Sequence, residues 1–447
     1  MNWFDALRAE DPEIFGAIKN ELQRRREGLE LIPSENHVSV AVMQAMGSVL
    51  NDKYSEGYPG HRYYGGTKYI DDVERTAIER AKELFGVPHA NVQGYSGSPA
   101  NLAVYFAVCN VGDVIMGQNL TDGGHLTHGW KTSITGKIFK SVSYHTKPDG
   151  YIDIDEVRKL AEENHPKLIW VGATAYTREF PFEELGDIAD SAGAFLAADI
   201  SHIAGLIVGG VHKSPVNYAH IITSTTHKTL RGPRGALIMV TEKGLKKDPE
   251  LDSKIDKVVF PGLQGGPHEH TIAGIAVALL EDSKPEFKEY AAQVVKNAKA
   301  LADELNRRGI KLVTGGTDNH MLLADFSSVS PGFGQFAEEA LDRANITVNK
   351  NTIPGEPSSP FYPSGIRLGT PSVTTRGMKE GEMKAIGGFI AEAVQEIKGY
   401  KLPGKAERPA YIKKFREEIL QNEKLEEVKN GVMQLCARFP LYPELSM

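Results

Sequence analysis

An alternation between residues 72 and 223 constrains the fold most tightly. Short runs at 91–93, 114–116, 168–172 (LIWVG), 195–199 (FLAAD) and 220–223 are separated by amphipathic helical stretches at 72–85, 98–108, 153–163 and 182–192. Apolar runs of this length read as strands covered on both faces. Their alternation with helices predicts a mostly parallel sheet between helical layers. In such sheets a ligand sits outside the carboxyl ends of the strands. Polar clusters fall there, at 96–98, 174–176, 199–202 and 225–228.

The flanking regions read differently. Asp11-Pro12 is an N-cap followed by proline in the first helical turn, and Ile14, Ile18 and Leu22 then repeat at a spacing of four. That apolar face must pack on the body of its own chain or on a partner subunit. After Glu281 a long helix at 286–308 precedes strands near 311–314 and 321–325, then further helices. The expected organisation is an N-terminal helical arm (1–30), a large α/β domain (31–283) and a smaller C-terminal α+β domain (284–447). A chain of 447 residues has room for more than one core.

Charge and cysteine usage exclude several classes. With 51 basic and 58 acidic residues the net charge is −7, which gives no electrostatic footprint for nucleic acid or an acidic membrane. Only two cysteines occur, Cys109 and Cys436, as in proteins of a reducing compartment. The opening MNWFDALRAEDPEIF carries acids and no apolar segment, so it reads as neither a secretory signal nor a transit peptide. A cytoplasmic location without membrane or nucleic-acid partners is expected.

The chemistry centres on STTHKTLRGPRG (224–235), where Lys228 follows the apolar pair Ile221-Ile222. Taken alone it reads as a solvated lysine. Desolvated at a strand end, a lysine becomes a neutral amine that attacks carbonyls to form a Schiff base. Pyridoxal phosphate needs such a lysine, an anion site, and a carboxylate that keeps its ring nitrogen protonated. SGSPAN places Ser98 as an N-cap with Pro99 at the first helical position, a phosphate cradle. Asp199 closes FLAAD, and His202 stands three residues on. Each taken alone has an ordinary structural reading, but their joint order favours the cofactor. The pair His125 and His128 in HLTH lacks a carboxylate or cysteine at zincin spacing, so no metal is expected.

The chain resembles the serine hydroxymethyltransferases nearly end to end. The motifs that carry the resemblance are ELIPSEN (30–36), NDKYSEGYPGHRYYGG (51–66), NVQGYSGSPAN (91–101), DGGHLTHG (122–129) and DISHIAGL (199–206). They continue through STTHKTLRGPRG, FPGLQGGPHEH (260–270), GGTDNH (315–320) and SGIRLGTPSVTTRG (364–377). The resemblance implies a pyridoxal-phosphate enzyme of the aspartate-aminotransferase-like fold (fold type I). Its large domain would carry a mostly parallel seven-stranded sheet, and a smaller α+β domain would lie at the C-terminus. The implied reaction interconverts L-serine and tetrahydrofolate with glycine and 5,10-methylenetetrahydrofolate through an external aldimine.

The same resemblance assigns residues. Lys228 is the Schiff-base lysine, Asp199 the partner of the ring nitrogen and His125 the residue stacked on the ring. Ser96, Gly97, Ser98 and His227 form the phosphate site, completed by Gly266 of the partner subunit. His202 and Thr225 stand near cofactor and substrate, and Thr174 beside the cofactor's 3′-oxygen. Arg367, helped by Ser34, clamps the amino-acid carboxylate; the planar arginine fork suits that task. Glu56 is the acid–base glutamate and Tyr64 a catalytic tyrosine, and with Tyr54 they reach across the interface of a homodimer. Tyr63, Leu120, Gly124, His125, Leu126 and Asn351, with Glu56, hold the folate. The chain departs from the pattern at Thr174 (usually serine), at Ile200-Ser201 (usually Met-Ala) and at His37 (usually aromatic). Two further readings are a folate-independent aldolase of β-hydroxy amino acids and a catalytically silent relative that binds RNA.

Overall fold

The computed structural model describes residues 3–445, and these group into two compact units. The larger comprises Ser34–Val295 and Thr317–His320; the smaller comprises residues up to Pro33, Lys296–Gly316 and everything from Met321 onward. This grouping differs from the division expected at residues 30/31 and 283/284. The N-terminal helix Pro12–Glu27 leads into Leu29-Glu30, which pairs in parallel with Ile346-Thr347. The buried Arg376 guanidinium also donates to the carbonyls of Arg25, Arg26 and Gly28. The N-terminal segment is therefore part of the smaller unit and not a separate arm. The observed division between Val295 and Lys296 falls inside one continuous helix, Pro285–Arg307, whereas the expected 283/284 boundary lies just before that helix.

Seven strands form the sheet of the larger unit: β1 (His89–Asn91), β2 (Val114–Gln118), β3 (Lys140–Tyr144), β4 (Leu168–Val171), β5 (Phe195–Asp199), β6 (Ile221–Thr225) and β7 (Ala236–Val240). Their spatial order is β1-β7-β6-β5-β4-β2-β3. Pairs from β3 across to β6 are parallel; β7 runs antiparallel to both β6 and β1. Side chains alternate between two apolar cores. Ile169, Val171, Leu196, Ala198 and Ile222 enter one, and Leu168, Trp170, Phe195, Ala197 and Ile221 the other. Both faces are covered, which is why these strands read as unbroken apolar runs.

Three helices of this unit matter for the site: α1 (Lys68–Phe85), α2 (Gly97–Val108) and α3 (Glu269–Asp282). Two local expectations change. The strand expected at 91–93 lies at His89–Asn91, where it pairs with β7. Helix α2 begins at Gly97, so Ser96 takes the N-cap position and Ser98 lies inside the first turn. Ser96 has extended backbone (φ −165°, ψ 175°) and makes no side-chain capping bond, so the N–H groups of this first turn lack intrahelical acceptors.

The smaller unit has its own core, built from Leu29, Leu31, Leu322, Phe336, Ile366 and Leu368 among others. Its antiparallel sheet places β10 (Gly365–Gly369) between β8 (Met321–Asp325) and β9 (Asn349–Asn351). The strand expected near 311–314 is a 3-10 turn instead. Thr314 and Gly315 both take positive φ (61° and 74°), leaving a single bridge from Leu312 to Ala324.

Candidate active site

Parallel strands β5 and β6 end side by side, with Asp199 in register with Thr223. Asp199 is surrounded by donors. Ser201 N–H and Oγ–H reach Oδ1 at 3.1 and 2.5 Å, and Asn101 Nδ2 reaches Oδ2 at 2.8 Å. His128 Nε2 lies 3.4 Å from Oδ2, its ring stacked on Trp170 with centroids 4.9 Å apart. Burial by itself would raise the Asp199 carboxyl. The hydrogen bond and charge interaction with His128, together with the charge of Lys228, outweigh it and hold the group far below the ordinary carboxylate range. Asp199 is thus a buried, permanent anion.

The histidine beside it is the opposite case. Burial, reinforced by His128, pushes His125 down to about 4, so its ring is neutral at physiological pH. Its Nδ1 lies 2.7 Å from Thr127 Oγ1, which in turn accepts from Asn101 Nδ2 at 2.9 Å. Asn101 Oδ1 accepts from Thr223 Oγ1 at 2.8 Å. One asparagine, the fifth residue of α2, therefore links the aspartate, the histidine loop and β6. His125, His128 and Asp199 bring ligand atoms within 4.8 Å of one another. The donors already engaging Asp199 describe a hydrogen-bond network.

Lys228 lies in the turn that reverses β6 into β7. Thr226 N–H donates to Gly235 O at 3.2 Å, Gly232 N–H to Thr226 O at 2.8 Å and Thr226 Oγ to Pro233 O at 2.6 Å. The Lys228 carbonyl accepts from Asn36 Nδ2 (3.0 Å) and Arg231 N–H (3.1 Å), which anchors the backbone under its side chain. Its positive charge acts on Asp199, His125 and His227. His227 is pushed down to about 3 by burial and by Lys228 and Arg234.

The anion site assembles against this turn. A Cβ on Gly97 would stand 2.8 Å from Thr225 Cγ2, so the start of α2 abuts the end of β6. Thr225 Oγ1 and His227 Nδ1 are buried without protein partners. Unsatisfied polar atoms beside free helix N–H groups make a coherent anion cradle. A lasting carboxylate, a nearby lysine, a neutral imidazole and this cradle together fit pyridoxal phosphate.

Other expected residues surround this cluster. Thr174 N–H donates to Gly123 O at 2.7 Å, tying the Leu120–Leu126 segment to the end of β4. A Cβ on Gly124 would lie 2.0 Å from Gln118 O, so only glycine fits there. Leu126 is exposed, and Leu120 and Ser34 are half-buried. His202 is buried, with Nδ1 3.4 Å from His320 Nε2.

Tyr54, Tyr63 and Tyr64 are 58%, 76% and 44% exposed on one lobe of this unit, with Tyr54 and Tyr64 rings 5.3 Å apart. The same lobe carries the glycine loop. A Cβ on Gly265 would be 3.1 Å from Glu56 Oε1, and one on Gly266 3.1 Å from the Tyr54 ring.

Arg367 and Asn351 belong to the smaller unit. Arg367 lies on β10, buried, with Nε donating to Asn349 Oδ1 at 3.0 Å. Asn351 ends β9 opposite Gly365. Sequence reading missed Asn101 and Thr127, noted Ser201 only as a departure from the family pattern, and considered His128 only as a metal ligand. Asn101 sits one helical turn past Gly97, a spacing that places both at the strand ends; the contact of Ser201 with Asp199 has the two-residue spacing of an Asx turn.

A family model described as serine hydroxymethyltransferase matches residues 7–390. A curated relative named serine hydroxymethyltransferase, from Acidothermus cellulolyticus (strain ATCC 43068 / DSM 8971 / 11B), is 56% identical over 393 residues, covering 88% of this chain and 90% of its own. With the strand-end cluster in place and a match of this extent, the chain belongs to the serine hydroxymethyltransferase family.

Proposed function

We propose that the cluster around Asp199 and Lys228 is where this chain carries out its family's reaction. That reaction is the reversible conversion of L-serine and tetrahydrofolate to glycine and 5,10-methylenetetrahydrofolate, which depends on pyridoxal phosphate and serves one-carbon and serine/glycine metabolism. The observation that carries the reading is Asp199, an anion at a strand end with its side chain only 8% exposed and with its charge stabilised by Lys228.

When bound, pyridoxal phosphate supplies a carbonyl carbon that takes an amine and a protonated ring that accepts electrons. Lys228 would hold it covalently, and Asp199 would keep the ring nitrogen protonated. Neutral His125 would lie on the ring, and Thr174 would meet the 3′-oxygen. Ser96, Gly97, Ser98, His227 and Gly266 of the partner subunit would take the phosphate, with Tyr54 closing over it. Thr225 and His202 would line the substrate side.

Arg367, helped by Ser34, binds the carboxylate of L-serine; this role rests on the family resemblance. Glu56 holds and moves the proton at the serine hydroxyl oxygen, with Tyr64 beside it. Tyr63, Leu120, Gly124, Leu126 and Asn351 hold the folate, its rings placed by the apolar and tyrosine side chains. The grouping of Tyr54, Glu56, Tyr63, Tyr64 and Gly266 on one exposed lobe supports a homodimer in which each copy completes its neighbour's site. Both cysteines are free and buried, which supports a cytoplasmic location. No helix among the described residues is long and apolar enough to cross a membrane.

The test is glycine formation from L-serine by the cofactor-loaded protein, with and without tetrahydrofolate. Folate-dependent turnover that disappears in Lys228→Ala is expected. Equal cleavage without folate would support the aldolase reading, and normal turnover in Lys228→Ala with cofactor bound would remove the lysine from its role.

A further inference from the structure

The loop that carries Glu56, Tyr63 and Tyr64 is built on a hairpin of two-residue strands, Gly57-Tyr58 and His61-Arg62. So short a ribbon has little stability of its own. Gly57 takes φ +98°, and a Cβ there would meet His61 O at 2.3 Å, so the turn has one geometry available.

The Arg62 guanidinium, its side chain 3% exposed, holds that geometry. Nη1 donates to Ser55 O (2.8 Å) and Gly57 O (3.0 Å), the two carbonyls on either side of Glu56. Nε donates to Asp71 Oδ1 (2.8 Å) and Nη2 to Glu74 Oε2 (2.7 Å), both on α1. Asp71 also accepts from Gly60 N–H at 2.9 Å, and Gln93 joins Gly57 O to Glu74 at 2.9 and 2.8 Å. The Glu56 carbonyl accepts from Tyr63 N–H at 2.9 Å, which fixes the spacing between the two functional residues.

Glu269 joins from α3. Its Oε1 accepts from Ser55 Oγ at 2.5 Å and lies 3.8 Å from Arg62 Nη1. The helix it opens follows the glycine loop that packs against Glu56 and Tyr54. Burying one cation with three carboxylates is costly, and apolar side chains would fill the same volume at least as stably. What they could not supply is a planar donor fork aimed at four acceptors.

We propose that Arg62, held by Asp71, Glu74 and Glu269, is a positioning residue that sets Glu56, Tyr63 and Tyr64 for the reaction. It rests on the proposed role of that loop. Lysine at this position keeps the charge but cannot reach both carbonyls and both carboxylates at once.

The experiment compares Arg62→Lys, Glu74→Gln and Glu56→Gln with the parent protein. In Arg62→Lys, kcat for folate-dependent serine cleavage should fall roughly tenfold to a hundredfold, the scale of a misplaced catalytic group. KM for serine should change less than about threefold, since uniform binding is untouched. In the cofactor-free protein, amide exchange should accelerate across residues 57–64 while α1 and α3 keep their protection. Parent-like kcat, or protection lost across the whole larger unit alike, overturns the proposal. If Arg62→Lys does not fold, Glu74→Gln decides, with a kcat-only loss supporting the proposal and an unchanged kcat overturning it. Glu56→Gln separates the two levels. If it abolishes turnover while Arg62→Lys leaves kcat intact, positioning by Arg62 is wrong and the Glu56 role stands. If it keeps turnover while Arg62→Lys loses it, the Glu56 role is wrong and the positioning of Tyr63 and Tyr64 stands.

Discussion

Asp199→Asn separates charge from shape at the centre of the site. Asn101 cannot adapt to the change, because its Oδ1 is engaged by Thr223 Oγ and its Nδ2 by Thr127 Oγ1. The new amide must turn its nitrogen toward Ser201 N–H or toward Asn101 Nδ2, donor against donor in either case. A buried donor stripped of its acceptor costs about 1–3 kcal/mol, so the cofactor-free variant should lose about 2 kcal/mol in urea denaturation followed through the larger unit. Turnover should fall further. Without a lasting anion nothing keeps the cofactor's ring nitrogen protonated, and lost electrostatic partners of this kind cost roughly a hundredfold or more. Cofactor should still bind, since Lys228 and the start of α2 are untouched. Full stability in the cofactor-free variant would refute the hydrogen-bond argument, and an unchanged rate would mean that another group meets the ring nitrogen.

Gly97→Ala should weaken cofactor binding by roughly tenfold (about 1.4 kcal/mol), because its Cβ would press on Thr225 Cγ2 at 2.8 Å; equilibrium dialysis that finds parent affinity would place the phosphate elsewhere. Burial, then the charge of Glu74, raises Glu269 to about 7, so its contribution to stability is present below the usual carboxyl range and is lost as pH rises to about 7. Glu269→Gln lacks this titration and should gain on the parent by about 3 kcal/mol between about pH 5 and about pH 8; a constant difference in urea midpoints would show that Glu269 does not titrate there. Mixing Lys228→Ala with Glu56→Gln subunits should partly restore activity, because a hybrid dimer with shared sites has one site with both defects and one with neither. Exchange demonstrated by mass without any return of activity would place Glu56 in its own subunit's site.

Local patterns in the chain already determined much of this. A strand covered on both faces needs an unbroken apolar run, so LIWVG and FLAAD announced a buried parallel sheet, and their polar ends announced where chemistry would sit. Lys228, Asp199 and the start of α2 were legible for that reason. Less legible were elements whose sequence is ambiguous. Residues 311–314 are as apolar as a strand, but positive φ at Thr314 and Gly315 turns the backbone away, and nothing local announces it. One edge of the sheet also escaped, because Lys140–Tyr144 is covered on fewer sides and reads as polar.

What tertiary structure alone decided is the set of partners. Asn101 and the Thr127-His128 pair lie far from Asp199 in sequence; only the fold brings Asn101 and His128 onto its carboxylate, with Thr127 and Thr223 holding Asn101 in place. Arg62 reads as one more charged residue in a tyrosine-rich loop until Asp71, Glu74 and Glu269 gather around it. Periodicity records which faces are buried, because burial acts on each side chain separately. Hydrogen bonds and charge interactions act between pairs brought together by the fold, so their strength appears only once distances are set.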